Sequence, residues 1–196
     1  MNPDAALPTH RLDHGASIAL ARPWSERPVT LISPAIDVMT DLTKVKAATT
    51  HPNSTLRHAE QLMIYQGVRM LFVVAEMPAI EGLITATDLG SDKPMRLTQE
   101  RGLHYAELCV ADVMTHVSLL DAVGLDSLKQ ATVANAVATL KKLGRNHLLV
   151  VEAATDRMPR VVRGVISRSQ IERQLGTPFD VTPVAESFFE IERALR

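Results

Sequence analysis

The sequence Asp37-Val38-Met39-Thr40 recurs without change as Asp112-Val113-Met114-Thr115. Each copy is followed by an amphipathic stretch, then by an apolar run, and then by a glycine, two apolar residues and a hydroxyl residue. This last element reads Gly82-Leu83-Ile84-Thr85 in the first copy and Gly164-Val165-Ile166-Ser167 in the second. The same order of segments in both copies is the sequence signature of a repeat architecture. The chain is therefore predicted to hold two copies of one unit, which leaves little room for an enzyme.

The body of each copy is predicted to consist of a helix and two paired strands. In the first copy, residues 56–66 carry apolar side chains at helical spacing and stop at Gly67, a residue type suited to a helix end. Residues 70–74 form a continuous apolar run, which is typical of a strand buried on both faces. A further short strand is predicted at 44–49. The second copy repeats the helix and the strand pair at 133–143, 148–151 and 161–167.

Composition narrows the class of protein. The chain has 196 residues, of which 46% are hydrophobic, so it is long enough to bury a core. A formal net charge of -1 gives no basic field for nucleic acid or an anionic membrane. The single cysteine, Cys109, cannot form an internal disulfide, and the first dozen residues lack the pattern of a signal peptide. We expect a cytoplasmic protein with no membrane segment and no nucleic-acid partner.

With these two repeats, the chain resembles a tandem pair of CBS domains, the modules named after cystathionine beta-synthase. The resemblance covers about residues 31–176 and rests on both Asp-Val-Met-Thr segments, both helix-strand-strand bodies and the strand end at 82–88. It implies an α/β (α+β) fold in which each repeat is a β-α-β-β-α unit, with a small sheet packed against helices. The two repeats are then expected to pack through their sheets and to form two clefts.

The domain boundaries follow from composition shifts around the repeats. Before the first repeat, proline-rich sequence shows no sustained periodicity. After Asp88, a glycine and a proline fall within 89–94, so the helix expected there should shorten to a turn that leads into a linker. At the C-terminus, Phe188 and Ile191 lie near helical spacing, on a helix docked on its own chain or on a partner. The predicted parts are an N-terminal arm at 1–30, a first repeat at 31–92, a linker at 93–108, a second repeat at 109–176 and a C-terminal helical extension at 177–196.

The resemblance also implies one nucleotide cleft. In the family's pattern, Asp88 contacts both ribose hydroxyls and Thr85 contacts a phosphate oxygen. The chemistry agrees, because one ionised carboxylate accepts hydrogen bonds from two hydroxyls and a threonine hydroxyl donates to phosphate. Apolar residues near Val45, Ala47 and Met70 would then flank the base.

The second copy departs from this pattern. Its equivalent run is 167–170, with Ser167 and Arg168 followed by Gln170 where the carboxylate belongs. A neutral amide still forms hydrogen bonds with a hydroxyl but lacks charge assistance. The second cleft is therefore predicted to be weaker, different in specificity or empty. Arg168 either offsets this loss by meeting phosphate or lies in solvent at a helix start.

No catalytic residue and no metal ligand is predicted. The seven histidines are scattered; only His10 and His14 are four residues apart, and they lie in the proline-rich N-terminal sequence that shows no sustained periodicity. Cys109 precedes an apolar residue and is expected to be a buried, inert thiol. No nucleophile, P-loop or dinucleotide motif is present.

The sequence therefore favours a stand-alone, non-enzymatic regulatory module. It would bind an adenosine nucleotide (AMP, ADP or ATP) between the repeats and signal to an unidentified partner. The alternative is a structural or interaction protein whose clefts are vestigial. A homodimer is also expected, because helical faces are predicted to remain partly open and an exposed apolar patch is most simply buried against a second copy. These faces are assigned to Leu119, Leu120, Leu140 and Leu143.

Overall fold

The computed structural model describes Arg11, residues 27–153 and residues 160–181. Most of the predicted N-terminal arm, most of the loop between the last two strands and the C-terminal extension beyond residue 181 lie outside these residues. The strands are β1 (Met39–Asp41), β2 (Thr49–Thr50), β3 (Met70–Val73), β4 (Gly82–Thr85), β5 (Thr115–His116), β6 (Ala122–Gly124), β7 (His147–Glu152) and β8 (Val161–Ser167). The α-helices are α1 (Leu56–Gln66), α2 (Ala86–Leu89), α3 (Lys93–Arg101), α4 (Val110–Val113), α5 (Leu125–Gln130), α6 (Val133–Leu143) and α7 (Arg168–Leu175). Among the described helices, none has the length and apolar character needed to span a bilayer.

The two long repeat helices begin and end as the sequence predicts. Thr55 caps α1 by accepting a hydrogen bond at Oγ1 from the His58 backbone N–H at 3.2 Å. Gly67 ends α1 with φ 66° and Gly144 ends α6 with φ 60°. A residue with a side chain resists this left-handed conformation, so glycine fixes both ends. The predicted bounds of the two helices are confirmed.

The Asp-Val-Met-Thr segments are exchanged between the repeats. One sheet has the order β1-β8-β7-β6 and the other the order β2-β3-β4-β5. In the first, β1 runs antiparallel to β8 with Met39 opposite Ile166. In the second, β5 runs antiparallel to β4 with Thr115 opposite Leu83. Each repeat therefore adds its leading strand to the sheet of the other repeat.

The exchange continues into the cores. Ala35 and Val38, which precede β1, are buried with Leu140 and other side chains of the second repeat. Val113, which precedes β5, is buried with Ile84 and other side chains of the first repeat. A third cluster joins the two sheets. Separating the repeats would expose apolar surface in all three clusters, so the pair is expected to unfold as one unit.

The glycine of each Gly-apolar-apolar-hydroxyl element is explained by this exchange. A Cβ atom at Gly164 would lie 2.8 Å from the Thr40 carbonyl oxygen and 2.5 Å from the Met39 sulfur. A Cβ atom at Gly82 would lie 2.4 Å from the Thr115 carbonyl oxygen. Only glycine lets the exchanged strands come this close. The Asp-Val-Met-Thr segment of each repeat therefore packs against the Gly-apolar-apolar-hydroxyl element of the other repeat.

The strand predicted at 44–49 is wrong for all but its last residue. The chain turns after β1, because an oxygen of the Asp41 carboxylate accepts hydrogen bonds from the Thr43 backbone N–H at 2.9 Å and the Thr43 hydroxyl at 2.7 Å. The Asp41 carbonyl accepts two more, from the N–H groups of Lys44 and Val45. These bonds commit the segment to a turn, and β2 starts only at Thr49.

The predicted linker contains a helix. As expected, the helix that includes Asp88 stops early, at Leu89. The proline that was expected to keep the following segment irregular instead lies in the first turn of α3, at Pro94. Proline is tolerated there because the first amide groups of a helix have no intrahelical partner.

The apolar faces predicted to remain partly open are confirmed at all but one position. Leu140 is fully buried, which contradicts its prediction, whereas Leu120 and Leu143 are half-buried. Leu119 is 67% exposed, in agreement with its prediction. The most exposed large apolar side chain of α1 is Tyr65, at 90%. Helix α6 points its apolar stripe into the core, which the sequence spacing alone does not distinguish from an outward face.

The close approach at Gly164 gives the first prediction. Gly164→Ala should lower the free energy of unfolding by about 1–3 kcal/mol, because the added methyl group must displace the β1 backbone as well as Met39. Gly124→Ala is the control, since the nearest atom to its Cβ is the Ser127 hydroxyl at 3.8 Å. Urea unfolding followed by circular dichroism measures both. Equal stability of the two variants would contradict the packing described here.

Candidate functional site

Two cavities flank the apolar cluster that joins the sheets. Met70, Phe72 and Val165 of this cluster line one cavity, and Leu83 and Leu149 line the other. The first has a volume of about 770 Å³ and is named the large cleft. The second has a volume of about 350 Å³ and is named the small cleft. Both are walled by residues of both repeats.

The two clefts are built from equivalent positions of the repeat. Gly67 and Met70 line the large cleft, and their equivalents after the second repeat helix, Gly144 and His147, line the small one. Thr85 and Asp88 of the first repeat lie in the small cleft, whereas their equivalents in the second repeat lie in the large one. Besides those named, the large cleft includes Thr40, Leu42, Val45, Lys46, Ala47, Arg69, Ser167, Ser169, Gln170, Glu172 and Arg173, and the small cleft includes Thr87, Thr115, Leu120, Asp121, Leu143, Arg145 and Asn146.

This arrangement corrects the predicted residue set. Val45, Ala47 and Met70 were expected to flank a base held by Thr85 and Asp88, but they line the other cleft, together with Ser167 and Gln170. The reason is the course of the chain after β1: it leaves β1 beside Arg163 of β8 and then runs along the edge of β3, where the Ala48 carbonyl accepts a hydrogen bond from the Phe72 N–H. Strand β3 separates this segment from β4.

Thr85 and Asp88 form a tight local unit. The Thr85 hydroxyl and backbone N–H donate to Asp88 Oδ2 at 2.6 and 2.8 Å. The Asp88 N–H in turn donates to Thr85 Oγ1 at 3.2 Å. This is a capping box at the start of α2, so one carboxylate oxygen already has two donors. Among the described residues, no hydrogen bond reaches Asp88 Oδ1.

The equivalent pair in the second repeat is more deeply engaged. Gln170 is 4% exposed. Its amide nitrogen donates to Gln174 Oε1 at 2.9 Å, and its oxygen accepts from Arg173 Nη2 at 2.7 Å. Gln174 continues the chain of bonds by donating to the Asp37 carbonyl at 3.2 Å. The amide therefore helps to tie α7 to the exchanged segment.

Arg168 does not line either cleft, which corrects its predicted role at a phosphate. Its Nε donates to Glu172 Oε1 at 2.8 Å. Its guanidinium carbon lies 5.8 Å from the centre of the Phe179 ring. Arg168 therefore stabilises the segment after α7 and does not face a ligand cavity.

The clefts differ in charge. Lys46, Arg69 and Arg173 line the large cleft against a single carboxylate, Glu172. Partial burial raises the pKa of Glu172, but hydrogen bonds from Arg168 and the Phe179 N–H, together with the charges of Arg168 and Arg69, outweigh burial and lower the pKa. Sequence reasoning missed Arg69, which lies just before β3, because no periodic pattern marks a loop residue at a strand start.

The small cleft has the opposite balance. Asp88 and Asp121 line it against a single cation, Arg145. The neighbouring Asn146 donates from Nδ2 to Thr87 Oγ1 at 3.3 Å. A negative lining disfavours an anionic ligand and suits a neutral or cationic one.

His147 lines both clefts. The pKa of His147 is lowered from 6.5 to about 4, mainly by burial; the charge of Asp88 opposes this shift and the charge of Arg69 adds to it. The imidazole is therefore neutral at pH 7 and separates an acidic cavity from a basic one.

The described residues give little support for a metal site or for a reactive thiol. Among the described residues, no group of three histidine, cysteine or carboxylate side chains is placed to hold a metal ion. Cys109 is half-buried, and its thiol donates to Asp112 Oδ2 at 3.1 Å. Desolvation, followed by the bond to Asp112, raises the pKa of the thiol, which disfavours the reactive thiolate.

Comparison with known proteins identifies the repeat. The family model of the CBS domain matches residues 35–89. An uncharacterized conserved protein from Pyrococcus horikoshii shares the fold over 73% of this chain and 92% of its own, with 18% identity and a TM-score of 0.51. A CBS domain pair solved in complex with 5-methylthioadenosine and S-adenosyl-L-methionine covers 76% of this chain and 98% of its own, with 20% identity and a TM-score of 0.50. No curated protein sequence matches the chain.

The buried histidine gives the second prediction. The imidazole of His147 binds a proton near pH 6.5 in the unfolded chain but only near pH 4 in the folded chain. The stability that neutral His147 contributes is thus fully present above pH 6.5 and is lost as the pH falls toward 4. We expect the free energy of unfolding to fall by about 2 kcal/mol between pH 7 and pH 5.

The control for this prediction is His147→Met. Methionine is the residue at the equivalent position of the first repeat, Met70. Urea unfolding at pH 7, 6 and 5 measures both proteins. In the variant, most of the decrease should disappear. The same decrease in both proteins would show that groups other than His147 cause it.

Proposed function

Because residues 35–89 are a CBS domain and the described chain folds as a CBS pair, we propose that the protein is a regulatory module that binds an adenosine nucleotide between its repeats. The observation that carries this proposal is the large cleft, which joins an apolar wall to a cationic rim. The ligand's occupancy would be passed to a partner protein. A ligand alters the geometry of the pair only to the extent that it binds one arrangement more tightly than another.

The apolar wall is suited to a purine. Val45 and Ala47 come from the segment after β1, Met70 and Phe72 from β3, and Val165 from β8. Met70, Phe72 and Val165 are buried in the inter-sheet cluster and present their remaining surface to the cleft. Flat aromatic rings gain most from burial against such a wall, since their faces carry no hydrogen-bonding groups.

The rim is suited to phosphate. The side chains of Lys46 and Arg69 are exposed, and neither forms an ion pair with a described residue. Ser167 and Ser169 add hydroxyl groups where α7 begins. An unpaired guanidinium binds phosphate through charge-assisted hydrogen bonds, which are about twice as strong as neutral ones. We therefore assign the phosphate to Arg69 and Lys46.

The ribose contact is the weakest part of the large cleft. Gln170 occupies the position of the diol-binding carboxylate, but its amide groups already bond to Gln174 and Arg173. The affinity is therefore expected to come from the base and the phosphate. The same locked amide favours the alternative function, an interaction protein that binds no nucleotide.

The small cleft is proposed to take an adenosine derivative without phosphate. It keeps Asp88, whose Oδ1 has no hydrogen bond from a described residue, and its carboxylates outnumber its cations. The two ligands of the similar CBS pair, 5-methylthioadenosine and S-adenosyl-L-methionine, are adenosine derivatives of this kind.

A homodimer completes the proposal. Ile32, Tyr65 and Leu119 are 85%, 90% and 67% exposed, a high exposure for large apolar side chains. Light scattering coupled to size exclusion at micromolar concentration should give twice the chain mass of 21.5 kDa. A mass of one chain across the concentration range would contradict the dimer.

Ligand titration of charge variants tests the nucleotide site. Arg69→Gln should weaken AMP binding by about tenfold, because it removes one charge-assisted contact. Asp88→Asn should leave AMP binding unchanged and weaken the binding of 5-methylthioadenosine. Isothermal titration calorimetry measures each pair. The matched control is Arg96→Gln, since Arg96 lies on α3, pairs with Glu100 at 3.6 Å and lines neither cleft.

Two outcomes would contradict the assignment. If Asp88→Asn and not Arg69→Gln weakens AMP binding, the nucleotide occupies the small cleft. If the unmutated protein binds neither ligand at millimolar concentration, the clefts are vestigial and the interaction protein is the better description.

A further inference from the structure

The segment after α7, residues 176–181, is one wall of the large cleft and is named the strap. Its first three residues line the cleft. Farther along, Phe179 packs against the core cluster that contains Leu140, and Val181 is 7% exposed within the same cluster. The strap therefore runs from the ligand cavity into the core of the second repeat.

The carboxylate of Glu172 fastens the strap to α7. Its Oε1 accepts a hydrogen bond from the Phe179 backbone N–H at 3.0 Å and another from Arg168 Nε at 2.8 Å. The Arg168 guanidinium carbon also lies 5.8 Å from the centre of the Phe179 ring. A hydrogen bond to an ionised acceptor is about twice as strong as one to a neutral acceptor. The attachment of the strap therefore depends on the negative charge of one side chain.

The same carboxylate lines the large cleft together with Arg69. Partial burial raises the pKa of Glu172, but its hydrogen bonds and the charges of Arg168 and Arg69 lower it. Arg69 therefore helps to keep Glu172 ionised in its present position. A phosphate bound to Arg69 would offset that cation and add negative charge near the carboxylate, which disfavours this position of Glu172.

We propose that an anionic nucleotide in the large cleft weakens the hydrogen bond between Glu172 and Phe179 and thereby loosens the strap. This inference rests on the proposed function and adds a route by which occupancy reaches the surface. Thr177, Pro178 and Asp180 are exposed, so a partner protein can contact the strap. A partner that binds only one state of the strap then responds to the ligand.

This attachment is confined to the second repeat. Gly90 stands in the first repeat where Glu172 stands in the second, by the same count from the helix caps Thr85 and Ser167. A glycine has no side chain that could hold the chain after α2. Only the large cleft is therefore expected to act on its neighbouring segment in this way.

Exchange of the Phe179 backbone N–H in the full chain tests the inference. Saturation with AMP should speed this exchange about fivefold or more, since coupling between two sites is typically of this size. The Gly176 N–H is the internal control, because it donates to the backbone carbonyl of Glu172 at 3.0 Å and should be unaffected. Saturation with adenosine, which has no phosphate, should leave both amides unchanged. Nuclear magnetic resonance measures each amide separately.

The variant Glu172→Gln separates the charge from the contact. Glutamine keeps an oxygen that accepts from the Phe179 N–H but has no charge, so the variant should bind AMP about fivefold more tightly and show no acceleration by AMP. Glu100→Gln is the matched control, since Glu100 pairs with Arg96 at 3.6 Å on α3 and lines neither cleft. It should behave like the unmutated protein.

Calorimetry run beside the exchange measurements keeps the two proposals apart. AMP binding without faster exchange at Phe179, or the same acceleration by adenosine, would overturn the inference and leave the nucleotide site standing. Equal acceleration by AMP in Glu172→Gln would overturn it as well. If no AMP binds, the proposed function fails and the inference fails with it.

Discussion

The contact between a glycine and an exchanged strand is the constraint on which the rest of this structure depends. Gly164 admits β1 and Gly82 admits β5 at distances that no side chain allows. Through these two contacts each repeat completes the sheet and the core of the other. The large cleft follows from the same contacts, because the chain that leaves β1 passes to the edge of β3 and becomes a wall of this cleft.

Much of the fold could be predicted from the sequence, because it depends on local patterns. Helical spacing, a capping threonine and a stop glycine define α1 and α6, and a continuous apolar run defines β3. The exchange could not be predicted in this way. The two Asp-Val-Met-Thr segments are identical, so neither carries a signal for one sheet over the other. The grouping of the predicted site residues was therefore wrong: Val45 was assigned to the cleft of Asp88 although it lies with Gln170.

The repeats share a backbone and differ in chemistry at a few equivalent positions. Asp88 corresponds to Gln170, Met70 to His147 and Gly90 to Glu172. The first difference removes a carboxylate from the large cleft, and the second places a neutral imidazole between the cavities. The third places a carboxylate, Glu172, in the lining of the large cleft. A symmetrical scaffold thus carries two unlike cavities.

The position of His147 would link the proposed ligand binding to proton uptake. Its imidazole is held neutral partly by the nearby charge of Arg69. A phosphate bound to that arginine offsets the charge, which makes protonation of His147 less unfavourable. By reciprocity, protonation then favours the anionic ligand. The same ring also lines the small cleft, where the negative charge of Asp88 favours its protonated form. If both clefts bind the ligands proposed for them, they form one heterotropic system, in which proton, anion and neutral ligand influence one another through a single side chain.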